Sequence, residues 1–140
     1  MQIKNKIIVC VVLIFFTLNL NLAAEEFNIS ASEITIDKNK DIVAGKGSVE
    51  VTDKEGKLIK ADKVIYEKSK EFMTVEGSVE VLDTLGNILK TDKASYDKIN
   101  EIIYTYENSN LKIKEGYNIQ SKEIMYDTNK RILSSSQIPF

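Results

Sequence analysis

Histidine and tryptophan are absent from this 140-residue chain, and proline and cysteine each occur once. Without histidine, and with cysteine confined to Cys10, the usual nucleophile–base constellations of enzymes cannot be assembled. Cys10 lies inside an apolar run and follows Val9, which is not the setting of an acylated lipoprotein cysteine. An excess of one charge is also lacking: 19 basic and 21 acidic residues leave a formal net charge of −2. A nucleic-acid-binding surface needs a basic stripe to neutralise phosphates, so no nucleic-acid partner is expected.

The first 24 residues differ in kind from the rest. Lys4 and Lys6 precede the apolar run Ile7 to Leu18, and Asn19-Leu20-Asn21-Leu22-Ala23-Ala24 follows it. That is the layout of a secretory signal-peptide helix over 1–24, cleaved after Ala24 or Ala23, which directs the chain out of the cytoplasm. The apolar run is 12 residues long, whereas a bilayer span needs about 20; an uncleaved inner-membrane anchor is the second reading. Cleavage leaves a domain over 25–140 with 17 basic and 21 acidic residues and no cysteine, hence no disulfide.

What the remainder has is a repeat. Windows of 30 residues begin at Ala31, Ala61 and Thr91, with a partial fourth at Ser121, and they align without gaps. The first two windows share 11 of 30 positions, among them Gly-Ser-Val-Glu-Val at 47–51 and 77–81. Within each window the apolar period is two. Ile34 and Ile36, Val64 and Tyr66, Ala94 and Tyr96, and Ile124 and Tyr126 fill one pair of columns. Val49 and Val51, and Val79 and Val81, fill another. Side chains two apart on a strand share a face, so these residues are predicted to form one apolar face opposite a charged one. A helix would scatter them, and none is expected beyond the signal segment.

Gly56, Gly86 and Gly116 sit in polar stretches suited to hairpin turns, and Asp37–Asp41 and Glu67–Glu71 supply charged ones. The simplest topology is an antiparallel meander. Its arms are longer than usual strands, with Gly47 or Gly77 marking a bend in some of them. In the alternate arms the parity switches, from Ile29 and Ala31 to Ile34 and Ile36, and from Ile59 and Ala61 to Val64 and Tyr66. Leu89 and Thr91 switch to Ala94 and Tyr96, and Ile119 and Ser121 to Ile124 and Tyr126. An extra residue near Ser32, Asp62, Asp92 and Lys122 is predicted to turn a corner, giving an all-β, half-open trough with two facing walls. The chain stops inside its fourth repeat, at Gln137-Ile138-Pro139-Phe140, with no polar cap. That ending reads as a truncated chain or as an end that pairs with another molecule.

Lys60-Ala61-Asp62-Lys63-Val64-Ile65-Tyr66, echoed at Lys90 to Tyr96, resembles the A-D-x-hydrophobic-x-Y element of the LptA/OstA-like repeats. Val75-Glu76-Gly77-Ser78-Val79-Glu80-Val81 is similar to their G-N-V-x-V element, and the order and spacing of the two also fit. Each motif is short; their repetition in register carries the resemblance, which covers about Phe27 to Ser136. It implies a bent antiparallel β-jellyroll whose apolar interior holds the lipid A acyl chains of lipopolysaccharide between the inner and outer membranes. The implied partners are lipopolysaccharide and other Lpt-type jellyroll proteins paired edge to edge, with self-association through the same edges. No cofactor, no metal and no enzymatic activity are implied. LptA-like, LptC-like and truncated LptD-like identities all stay open.

Under that resemblance the two apolar column sets become the lipid-contacting lining. The first unpaired edge would run through Phe27 and Ile29, and the last through Ile119 and Ile132. Two further readings concern charge. Asp37 with Asp41, or Asp53 with Glu55, match no calcium-loop spacing and read as solvated turns. Lys57, Lys60, Lys63, Lys90 and Lys93 read either as contacts for lipid phosphates or as solubilising surface. The rival function is a structural or adhesive β-solenoid with a dry interior; a carboxylate-based enzyme is a third.

Overall fold

The computed structural model describes residues 26–135, so the expected signal segment and residues 136–140 lie outside the described residues. Eleven strands follow one another: β1 (Phe27–Ser30), β2 (Glu33–Asp37), β3 (Ile42–Asp53), β4 (Leu58–Glu67), β5 (Phe72–Leu82), β6 (Ile88–Asp97), β7 (Ile102–Tyr106), β8 (Ser109–Lys112), β9 (Asn118–Ser121), β10 (Ile124–Asp127) and β11 (Ile132–Ser135). All pairings are antiparallel. The described residues contain no α-helix, only a 3-10 turn at Lys68–Lys70.

The long strands β3 to β6 each serve two walls. The first half of β3 pairs with β2 and its second half with β1; β6 is shared in the same way between β7 and β8. One wall therefore runs β2, β3, β4, β5, β6, β7, β10, β11, and the other β1, β3, β4, β5, β6, β8, β9. Phe27, on the second wall, reaches across to Tyr66 and Tyr96 on the first, with ring centroids 4.9 and 5.9 Å apart. The predicted antiparallel, two-walled trough is the observed architecture.

The corner lies where the parity switch places it, but the surplus residue is on the other strand. Gly47 and Ser48 of β3 oppose Asp62 of β4, and Gly77 and Ser78 of β5 oppose both Asp62 and Asp92. Two residues against one is a β-bulge, which bends the strand carrying the extra residue. Gly47 (φ 80°), Ser48 (46°), Gly77 (82°) and Ser78 (45°) all occupy the left-handed region that such a bulge needs. The expected extra residue near Ser32, Asp62, Asp92 and Lys122 is thus corrected to the glycine-serine arms. Parity seen along one strand reports only the difference from its neighbours.

In the third repeat the bulge falls on Glu107 (φ 63°) and Asn108 (49°), with no glycine, and the strand breaks there into β7 and β8. Hydroxyls support the break. Thr91 Oγ1 donates to the Glu107 carbonyl at 3.0 Å and lies 3.2 Å from Ser109 Oγ, which donates to Thr105 Oγ1 at 2.5 Å. These three buried residues stand where the preceding repeat has Ala61, Val79 and Val75. Glu107→Gly is expected to raise stability by about 0.5–1 kcal/mol, because left-handed strain of ~1–2 kcal/mol is relieved against the entropy of a new glycine. An increased urea midpoint at unchanged slope would show it.

The hairpin turns stack with the same thirty-residue period. Lys68 N–H donates to the Asp41 carbonyl at 2.9 Å, Lys98 N–H to Glu71 at 3.0 Å and Thr128 N–H to Glu101 at 2.9 Å. On the outer face of the second wall, Glu50, Lys60, Glu80 and Lys90 stand directly opposite one another across four strands. Ion pairs of 3.8 Å (Lys60–Glu50) and 3.1 Å (Lys90–Glu80) result. Exposed pairs of this kind contribute little stability each. A register slip would break these pairs, so their alternation favours the observed register.

Candidate functional site

The inner faces of both walls merge into one apolar cluster. Val49, Val51, Val64, Tyr66, Val79, Val81, Ala94, Tyr96 and Ile124 are all buried in it, and Tyr126 packs against it half-buried. The remaining candidate lining residues behave differently. Ile34 and Ile36 stand opposite Gly45 and Val43 on the inner face, yet are 45% and 61% exposed. Beside β2 the interior is open to solvent.

That opening is a cavity of about 230 Å³ lined by Phe27, Ile29, Ile34, Ile36, Val43 and Tyr66, with Glu26, Asn28 and Lys68 as its polar members. It is smaller than the ~300–1,000 Å³ usual for a drug-sized ligand, so it fits an alkyl segment better than a whole lipid. Concavities of about 270 and 470 Å³ also exist, but on the outer face, where Glu33, Lys46, Lys63 and Glu76 line one and Asp92, Lys93 and Glu107 the other. The first also has Thr35, Ala44, Ile65 and Thr74 in its lining, but both lie on the face of the sheet turned away from the apolar cluster.

Farther along, the two walls meet at a seam opposite the corner, where the turn after β3 touches the turn after β6. Lys57 is buried there, with its Nζ 3.0 Å from the Tyr96 hydroxyl, 3.3 Å from Asp53 Oδ2 and 4.5 Å from the centre of the Tyr96 ring. The Tyr96 hydroxyl donates to Glu101 Oε2 at 2.6 Å, and Thr128 Oγ1 donates to the same oxygen at 2.9 Å. Lys98 pairs with Glu101 and lies 3.8 Å from both Glu26 and Glu55. Sequence reading missed this cluster. Its members lie in turns, where charge is unremarkable, and its one signal is that only Lys57 among the turn positions following Gly56, Gly86 and Gly116 is cationic.

Burial raises the Glu101 carboxyl, but hydrogen bonds from Lys98, Tyr96 and Thr128 outweigh it and leave the group below the ordinary Glu range. Burial lowers Lys98, and its contact with Glu101 outweighs that, so the ammonium is raised. Burial, then the Glu101 hydrogen bond, pushes the Tyr96 phenol far up. A stability plateau between about pH 5 and pH 10 is expected. The Glu101 contribution is full above its unfolded value of about 4.3 and is lost as pH falls through the lower folded value. The Lys98 contribution is full below about 10.4 and is lost as pH rises through its raised value. Above about pH 10 the unfolded tyrosine ionises first, which adds to the alkaline loss. Urea midpoints of wild type and Glu101→Gln on the plateau and on both sides of it check it: the variant should have the shallower acid limb.

The other charged candidates serve local structure. Asp37 Oδ1 accepts N–H bonds from Asn39 and Lys40, and Asp53 Oδ1 from Glu55 and Lys57, so both carboxylates build their turns. No group of acidic side chains able to hold a metal occurs among the described residues. Lys60, Lys90 and Lys93 pair with Glu50, Glu80 and Glu76, Lys63 borders the outer 270 Å³ concavity, and Lys57 is held in the seam. The strands bearing Phe27, Ile29, Ile119 and Ile132 each have a single neighbour among the described residues, as does β2. Ile132 points outward, opposite Asp127, and is exposed.

No family model matches the sequence, and no curated protein matches it. Among solved structures, the chain is similar to LptH, the LptA-homologous periplasmic component of the conserved lipopolysaccharide transport device from Pseudomonas aeruginosa. The match has a TM-score of 0.71 at 16% identity and covers 80% of this chain and 82% of that one. The fold implied by the LptA/OstA-like resemblance is the fold this chain has.

Proposed function

We propose that this chain is a periplasmic, non-enzymatic carrier of lipopolysaccharide, exported by a signal peptide at 1–24, that shields acyl chains inside its β-trough. The observation that carries the proposal is the mouth beside β2. Ile34 and Ile36 extend the buried inner face, yet lie open to solvent in a concavity continuous with the core. Transferring an alkyl segment from water to such a surface is favourable by about 0.8 kcal/mol per methylene. A purely structural stack would gain by covering these side chains. The fold shared with a periplasmic component of a lipopolysaccharide transport device supports the same reading.

The edges are proposed to pair with other jellyroll proteins or with further copies of this chain. Residues 26–53 carry six acidic and three basic residues, while 109–135 carry three acidic and five basic ones. Acidic N-terminal and basic C-terminal edges favour head-to-tail contact over like-to-like pairing.

Displacement of a fluorescent apolar dye by lipopolysaccharide tests the carrier role. Saturable displacement is expected. A dye that never binds would favour the dry structural solenoid.

A further inference from the structure

The mouth is walled by Phe27 and Tyr66 of the apolar cluster, whose seam is closed by charged and hydroxyl groups rather than by apolar ones. Three turns and the start of β1 converge there, with Lys57, Asp53 and Glu55 from the first turn, Lys98 and Glu101 from the second, Thr128 from the third and Glu26 beside β1. The lysine–glutamate contacts belong to one level of the repeat, while at the next Tyr126 interacts with Asp83 and Arg131. Thirty residues on from Lys57, Lys98 and Glu101 stand Asn87, Thr128 and Arg131, a set that cannot reproduce those contacts.

Buried ion pairs add little net stability over apolar packing, because desolvation offsets attraction. A seam sealed with aliphatic side chains would hold at least as well, but parting it would expose apolar area to water with nothing to offset the cost. Parting a polar seam exchanges protein partners for water, which solvates the freed ammonium and carboxylate groups. Chemistry of this kind holds a joint closed yet lets it open. Opening is needed, because the mouth offers about 230 Å³, which suits one alkyl segment and not several.

We propose that Lys57, Tyr96, Lys98 and Glu101 form a clasp across the seam, which parts when a multiply acylated lipid enters and recloses on its release. The clasp thereby sets how many acyl chains the interior admits. The proposal rests on the carrier reading and specifies how that site is regulated.

The test locks the clasp from outside. In a Cys10→Ser background, Lys54→Cys and Ile99→Cys place thiols on the two facing turns, at positions exposed by 51% and 64% and outside the clasp. A short bismaleimide then joins the turns. The locked protein should bind a single-chain fluorescent fatty acid as before, but bind hexa-acyl lipid A at least about tenfold more weakly, since the open fraction is removed. The unlinked protein should bind both, and Glu101→Gln should bind hexa-acyl lipid A more tightly than wild type. Equal binding of hexa-acyl lipid A by locked and unlinked protein would overturn the clasp and leave the carrier reading standing. Failure of every form to bind either ligand would overturn both.

Discussion

Gly77→Val is expected to lower stability by about 3 kcal/mol or more. Two independent costs combine. Gly77 has φ 82°, and a β-branched residue in the left-handed region is strained by ~1–2 kcal/mol. A Cβ there would also lie 2.3 Å from Asp62 Oδ2 and 2.7 Å from Asp62 Cβ. Asp62 forms the opposite side of the bulge and cannot retreat without shifting β4. Overpacking of this kind adds ~1–3 kcal/mol. Against a total of about 5–15 kcal/mol, much of the folding stability is lost. Gly116→Val separates the two costs, since Gly116 has φ 102° but nothing within 4 Å of its would-be Cβ. It should show the strain alone. Equal urea midpoints for the two variants would mean that the corner is not set by the Gly77–Asp62 contact.

The second large effect concerns binding rather than folding. Ile34→Glu combined with Ile36→Glu should weaken acyl-chain binding by about 3 kcal/mol, on the order of a hundredfold, because both apolar contacts are replaced by charges that resist desolvation. Folding should change little, since both side chains are already largely exposed on an edge strand. Ile65→Glu is the matched control: Ile65 is 50% exposed, but stands opposite Ala44 and Thr74 on the outer face. Binding there should be unaffected. If both variants lost binding alike, the inner face would not be the acyl surface.

Much of this architecture was legible in the sequence because a strand has period two and the repeat has no gaps. Columns such as Val64 with Tyr66 and Val79 with Val81 therefore declare their face directly. The corner was legible too, through the parity switch between Ala61 and Val64. Which strand carries the surplus residue was not, since a bulge is a relation between two strands and parity along one of them fixes only the mismatch. The candidate lining was read as one class, yet Ile36 is open while Val64 is sealed. That difference follows from β2 having one neighbour and β4 two, which is a property of topology and not of residue type. The seam cluster was invisible for a similar reason. Lys57 and Glu101 are 44 residues apart and meet only once the two walls fold toward each other.

Photo-crosslinking with lipopolysaccharide tests the central claim most directly, using a photoreactive residue in place of Ile36 on the inner face or Tyr104 on the outer face of the same wall. Both positions are solvent-accessible, at 61% and 39% exposure, so reactivity alone does not favour the inner one so strongly as to mimic specificity. The account predicts a lipid adduct at position 36 that unlabelled lipopolysaccharide competes away, and none at 104. Adducts at 104 alone, or equal and uncompeted adducts at both, would contradict it.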